Sequence, residues 1–148
     1  MPPSLIALPL AVWERDGLKA ALTRAGLPAD DIFAPGPQFW RFATHDDVPA
    51  GFGGIEVHGT DALLRSVVTL PPLRRRGIAR AIVAALEAEA IVMKCSAVWL
   101  LTATARQLFE KLGYVAVDRA QVPAAIRAST QYSSLCPDSA TVMVKRLG

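Results

Sequence analysis

The chain has 148 residues, of which 52% are hydrophobic and 20% charged, with a formal net charge of +3. That balance excludes a disordered chain and suits one domain over residues 1–148, able to bury roughly 70% of its unfolded surface. A charge this small, with three arginines gathered in one turn, points to a local anion site; a nucleic-acid partner would call for a broad basic stripe.

In chain order, residues 4–10 form a short strand ended by Pro9. Residues 12–25 read as a helix with Trp13, Leu18, Ala21, Leu22 and Ala25 along one side, closed by Gly26 and Pro28. A loop or second short helix follows, broken by Pro35, Gly36 and Pro37. Residues 38–43 are a strand by their aromatics, Phe39, Trp40 and Phe42. After a turn at Asp46 and Asp47, residues 50–58 form a glycine-rich strand, where Gly51, Gly53 and Gly54 leave room for a close backbone neighbour or a ligand. Short turns between these strands make them antiparallel neighbours.

Residues 63–90 are the centre of the chain. A run of branched apolar residues, LLRSVVTL, suits a strand buried on both faces. Pro71 and Pro72 stop it, because neither donates a backbone N–H. Beyond Gly77 the period changes, and Ile78, Ile82, Val83, Leu86 and Ala90 recur at helical spacing. The turn between carries Arg74, Arg75 and Arg76. A helix start offers unpaired N–H groups and a positive dipole end, so a phosphate or pyrophosphate is the expected ligand. The spacing is neither a Walker loop nor a dinucleotide fingerprint.

Residues 97–101 form the next strand. Thr102 or Thr104 caps a helix with Ala105, Leu108, Phe109 and Leu112 as its apolar stripe. Gly113 ends it, and residues 114–117 are a strand. Residues 123–128 make one helical turn, and residues 139–147 are a closing strand. The order predicts an α/β fold: a mixed, largely antiparallel sheet of six to seven strands with helices on both faces. Cys95 and Cys136 are too few for a disulfide scaffold, and neither pairs with His45 or His58 at metal-ligand spacing, so no metal is expected. With no basic leader and no run of about 18 apolar residues, the expectation is a cytoplasmic chain without a membrane partner.

Two motifs carry a resemblance. Arg74-x-x-Gly77-x-Ala79 is similar to the pyrophosphate loop of the GCN5-related N-acetyltransferases (GNAT). TARQLFEKLGY at residues 104–114 resembles that family's second hallmark, with Ala105, Leu108, Phe109, Gly113 and Tyr114 on the matching positions. The resemblance implies the GNAT fold and acetyl-coenzyme A as acyl donor. It implies that the edge at Val67, Val68 and Thr69 binds the pantetheine arm. It also implies that Arg74, Arg75, Arg76, Gly77, Ile78, Ala79 and Arg80 hold the pyrophosphate. The central strand should part from the next near the thioester, with the Val68 N–H polarising the carbonyl. The family's usual leaving-group acid is a tyrosine; here that position is Phe109, which has no proton to give. Tyr114 and Tyr132 are the substitutes at hand, Tyr114 fitting the core better.

Amine acetylation needs a base, and Glu56 on the glycine-rich strand is the chosen candidate, with His58 as rival. Arg65 and Ser66 interrupt an apolar strand. Arg65 grips either an acidic substrate or Glu56 as an ion-pair partner. The segment DRAQVPAAIRASTQYSSLCPDSATVM, residues 118–143, together with GGIEVHG and LLRSVV, resembles the acetyltransferases of arsenic-resistance operons, relatives of enzymes acetylating phosphinothricin and glutamate. That narrower resemblance implies N-acetylation of the α-amino group of a small amine of the arsinothricin type. Arg127, Ser129, Thr130 and Gln131 would then recognise its carboxylate or arsenic–oxygen group. Cys136 reads as a turn cysteine. Glutamate-type metabolic acetylation and a non-catalytic coenzyme A sensor are the alternatives. A homodimer is a family-level expectation.

Overall fold

Strand-forming runs separated by short turns build a single seven-stranded sheet, seen in a computed structural model that describes residues 5–27, 29–70, 77–129, 132 and 140–147. The strands are β1 (Ile6–Pro9), β2 (Gln38–Ala43), β3 (Pro49–His58), β4 (Asp61–Thr69), β5 (Ala97–Thr102), β6 (Val115–Val117) and β7 (Thr141–Arg146). Their spatial order is β1-β2-β3-β4-β5-β7-β6. β1 to β4 form an antiparallel meander, as tight turns require. The helices are α1 (Arg15–Arg24), α2 (Ile78–Val92), α3 (Arg106–Lys111) and α4 (Ala124–Arg127). Because α2 carries the chain back over the sheet, β4 and β5 are parallel, the one parallel step in the ladder. β5, β7 and β6 are antiparallel again.

Alternation along the strands sends side chains to two different cores. On one face α2 packs Ile78, Ile82, Val83, Leu86 and Ala90 against Trp40, Phe42, Ile55, Leu64, Val98 and Leu100, joined by Phe109 of α3. On the other, α1 places Leu18, Ala21 and Leu22 against Phe39 and Val68, and α4 places Ile126 against Leu63, Trp99 and Val142. The element order and the two-faced covering match the sequence expectation.

Three details are decided only by the structure. Residues Val12–Glu14 form a 3-10 turn, so Trp13 falls outside α1 and is 84% exposed; Ala25, at the far end, is also exposed. The described residues of the segment after α1 take the loop alternative and form no second helix, and Ile32 among them is fully buried. The room beside the glycines of β3 is already taken. A Cβ on Gly53 would stand 2.5 Å from Leu86 Cδ1, and one on Gly51 2.3 Å from the Val68 carbonyl oxygen, so α2 and β4 approach there. A Cβ on Gly54 would stand 2.5 Å from Phe39 Cδ1, so an aromatic ring lies in that hollow.

Candidate active site

The parallel ladder between β4 and β5 runs only from Asp61 opposite Ala97 to Leu63 opposite Trp99. β4 continues to Thr69 and β5 to Thr102, but the ladder between them does not. Beyond Leu63 the two strands no longer pair, and this gap in the ladder, the candidate cleft, has an unpaired strand edge on either side. A strand edge offers backbone donors and acceptors to an extended ligand in the manner of an added strand.

A bulge lies at the mouth of this cleft. Gly54 pairs with Arg65 and Phe52 with Val68, so Ser66 and Val67 together oppose Gly53. Ser66 adopts a left-handed backbone, φ 59°. The extra residue reverses the alternation: Arg65 and Val68 end on the α1 face, and Val67 packs toward α2. It also decides which N–H groups meet the cleft. The Leu70 N–H donates to the Ala50 carbonyl across to β3 at 2.9 Å. Extended backbone repeats its direction every two residues, so Val68 likewise faces β3, while Val67 and Thr69 turn their N–H groups toward β5. The Val68 N–H, expected at the carbonyl, is thus on the β3 side of the strand.

At the end of β4 stands the start of α2. Its cap is Gly77, at φ 72°, a backbone that glycine alone adopts without strain. Glycine brings no capping side chain, and the first turn contains no acidic residue. The N–H groups of Ile78, Ala79 and Arg80 are thereby presented to an anion, with the exposed Arg80 beside them. Arg74, Arg75 and Arg76 lie outside the described residues, as do Pro71 and Pro72.

On the α1 face a charged cluster sits against the bulge. The Arg65 side chain is fully buried. Its Nη1 donates to Asp31 Oδ2 at 2.7 Å, and its Nη2 to Asp31 Oδ1, which makes a bidentate fork. Its Nε donates to Ser66 Oγ at 3.3 Å, and its plane lies 5.4 Å from the centre of the Phe39 ring. Nη1 also reaches Glu56 Oε2, at 3.4 Å. The other Glu56 oxygen is 3.1 Å from His58 Nε2, out of line for a hydrogen bond. A buried arginine must be compensated, and two carboxylates from separate segments do so. Sequence reasoning named Glu56 as the partner of Arg65 and missed Asp31. The signal was present, since an arginine inside an apolar strand demands a carboxylate, but a carboxylate in a distant loop has no spacing to announce it. Of the two expectations for Arg65, a grip on an acidic substrate or an ion pair with Glu56, the structure shows the ion pair, with the fork itself filled by Asp31.

Of the other expected substrate-binding residues, Arg127 and Ser129 are described. Arg127 ends α4 and is exposed. Ser129 is buried, and its hydroxyl donates to the Ile126 carbonyl at 2.6 Å while accepting the Tyr132 N–H at 3.3 Å, which closes a turn. Thr130, Gln131 and Cys136 lie outside the described residues. Phe109 is buried, edge-on to Tyr114 at 5.5 Å between ring centres. Tyr114 donates its hydroxyl to Glu87 Oε2 at 2.8 Å. Burial, and then the Glu87 carboxylate, push that hydroxyl above the usual tyrosine range, so Tyr114 is held as a core hydrogen-bond donor and is a poor acid. Tyr132 packs beside Val122 and Ile126, its ring beneath Arg119. Among the described residues no group of three or more His, Cys, Asp or Glu is placed to hold a metal. No helix of the described residues is long and apolar enough to cross a membrane.

Comparison with known proteins agrees with this architecture. The family model of the acetyltransferase (GNAT) family matches residues 7–114. No curated protein matches the chain. Among solved structures, N-acetylglutamate synthase from Neisseria gonorrhoeae, complexed with coenzyme A and N-acetyl-glutamate, superposes with a TM-score of 0.79 at 12% identity, covering 100% of this chain. The chain spans only 36% of that synthase. A putative acyl-CoA N-acyltransferase from Klebsiella pneumoniae superposes at 0.75 with 19% identity, covering 97% of this chain and 98% of the other. Rv2747 from Mycobacterium tuberculosis, in complex with CoA, superposes at 0.75 with 18% identity, covering 96% and 99%.

Proposed function

We propose, from the premise that the chain belongs to the acetyltransferase (GNAT) family, that it moves an acetyl group from acetyl-coenzyme A to the α-amino group of a small amino-acid-like molecule. One observation carries this reading. The ladder between β4 and β5 ends at Leu63 and Trp99, and an uncapped helix start lies just beyond. A thioester with a long polar arm and a diphosphate needs that pair of features. The arm lies along the Val67–Thr69 edge as an added strand. The diphosphate meets the N–H groups of Gly77, Ile78, Ala79 and Arg80, with Arg74, Arg75 and Arg76 as counter-charges.

The chemistry follows from the residues at hand. The neutral amine nitrogen attacks the thioester carbonyl carbon. A backbone N–H at Val67 stabilises the developing oxyanion. The carbon–sulfur bond breaks, the electron pair leaves with sulfur, and the amine proton passes to Glu56, directly or through one water. The family's usual acid position gives no proton to the sulfur, because Phe109 has none, and Tyr114 is committed to Glu87. Departure as thiolate is tolerable: a thiol ionises at about 8.5 and an alkyl ammonium at about 10.4.

The acceptor in this reading is an arsenical or phosphinic glutamate analogue of the arsinothricin type, and its acetylation confers resistance. The segment around Arg127, Ser129 and Thr130 supports it as the recognition element. The likeness to a synthase that binds N-acetyl-glutamate supports a second acceptor, glutamate itself. A thiol-release assay with arsinothricin, phosphinothricin and glutamate decides. Fastest release with arsinothricin is expected, fastest release with glutamate selects the second reading, and no release with any amine overturns both. Glu56→Gln is expected to lower turnover by about a hundredfold with coenzyme A affinity retained.

A further inference from the structure

Glu56 and Asp31 compete for one guanidinium, and the outcome governs how the candidate base is held. Asp31 takes both Nη groups of Arg65 in the fork. Glu56 receives only the remainder, one contact at 3.4 Å, long for a charged hydrogen bond. While Asp31 fills the fork, the guanidinium does not turn toward Glu56 to shorten that contact. Its Nε is bonded to Ser66 on the bulge, and its face lies on Phe39, whose ring fills the hollow at Gly54. The loop bearing Asp31 is fixed as well. Its neighbour Ile32 is fully buried, and the Ile32 carbonyl accepts Arg15 Nη1 at 2.8 Å. The members are graded in exposure: the Arg65 side chain 0%, Asp31 10% and Glu56 16%. The tight pair is innermost, and the loosely held carboxylate is nearest solvent.

We infer that Asp31 is a positioning residue for acetyl transfer: by occupying the fork of Arg65 it prevents Glu56 from being locked into a bidentate ion pair, and so leaves that carboxylate able to take a proton. The inference rests on the reading of Glu56 as base. It assigns to the α1–β2 loop a part in turnover that does not require contact with either substrate.

Asp31→Asn tests it. The amide keeps the shape but loses the charge, so the fork of Arg65 passes to Glu56. That retained pair lets the variant fold. The expected result is a kcat at least about tenfold lower, with coenzyme A affinity by calorimetry within about twofold of the parent. Asp31→Glu, which restores the carboxylate, is expected to recover most of the loss. In a Glu56→Gln background, Asp31→Asn should lower kcat no further, because the group it acts through is gone. A purely structural Asp31 would shift the melting temperature and leave kcat per folded molecule alone, or its loss would add to that of Glu56→Gln; either outcome overturns the inference. If Asp31→Asn does not fold, Arg65→Lys, which keeps the charge and loses the fork, is run through the same cycle, and an additive loss again overturns it. Normal turnover of Glu56→Gln would remove the base assignment and this inference together. A slow Glu56→Gln beside a normal Asp31→Asn removes this inference alone.

Discussion

The two faces of the sheet are built on different physics. The α2 face is apolar through its centre, from Trp40 and Phe42 to Leu86 and Met143, with glycines at 51 and 53 letting the helix sit close against β3. The α1 face buries Arg65 between two carboxylates, beside Phe39 and Leu22. An apolar contact is non-directional and tolerates small shifts. A buried charge tolerates none, since an uncompensated ion costs far more than a lost methylene. The directional face is where the candidate chemistry lies, and the non-directional face supports it.

That contrast can be broken at measured points. Arg65→Met leaves Asp31 and Glu56 facing each other without a cation, and breaking a buried pair in this way costs about 4 kcal/mol. Chemical denaturation should show that loss together with lost turnover. Leu86→Ala on the opposite face opens a cavity at a fully buried site and costs about 3 kcal/mol, yet turnover per folded molecule should stay within about twofold. If Leu86→Ala proved as damaging to catalysis as Arg65→Met, the division of labour between the faces would not hold.

The smallest effect sharpens the comparison inside the apolar face, which holds one polar group of its own. Tyr114→Phe removes a single hydrogen bond to Glu87 and should cost about 1 kcal/mol near neutral pH, with Glu87 still receiving Lys145 Nζ at 3.1 Å. Its signature is in alkali. The folded protein holds the Tyr114 proton above the ordinary value of 10.0, whereas the unfolded chain releases it there. Between those limits the folded state binds more protons, so stability falls as pH rises above about 10. Denaturation across that range should show a shallower fall for Tyr114→Phe than for the parent.

Much of this fold was legible from periodicity. The element order and the change from strand to helix after residue 77 were read from the residues, while the parting of the central strands was implied only by the resemblance. The expected threonine cap of α3 is not formed: the helix starts from Ala105 without a side-chain cap, and Thr102 Oγ1 accepts the Ala105 N–H at 2.9 Å in the turn before it. Trp13 was misread because a 3-10 turn, set by the chain's entry into α1, moved it off the helical stripe. The bulge at Ser66 was not legible: an unbroken run of strand-like residues does not reveal that one is extra, and only the register against β3 does.

By itself, then, the sequence determined the sheet, its two helical layers and the glycine at the mouth of α2, because each depends on residues within a few positions of one another. It also announced that Arg65 needed a negative partner. Which partner holds the fork was decided only when a loop residue 34 positions away came to rest on β4. Charge pairing acts through space, and local spacing carries no record of who arrives.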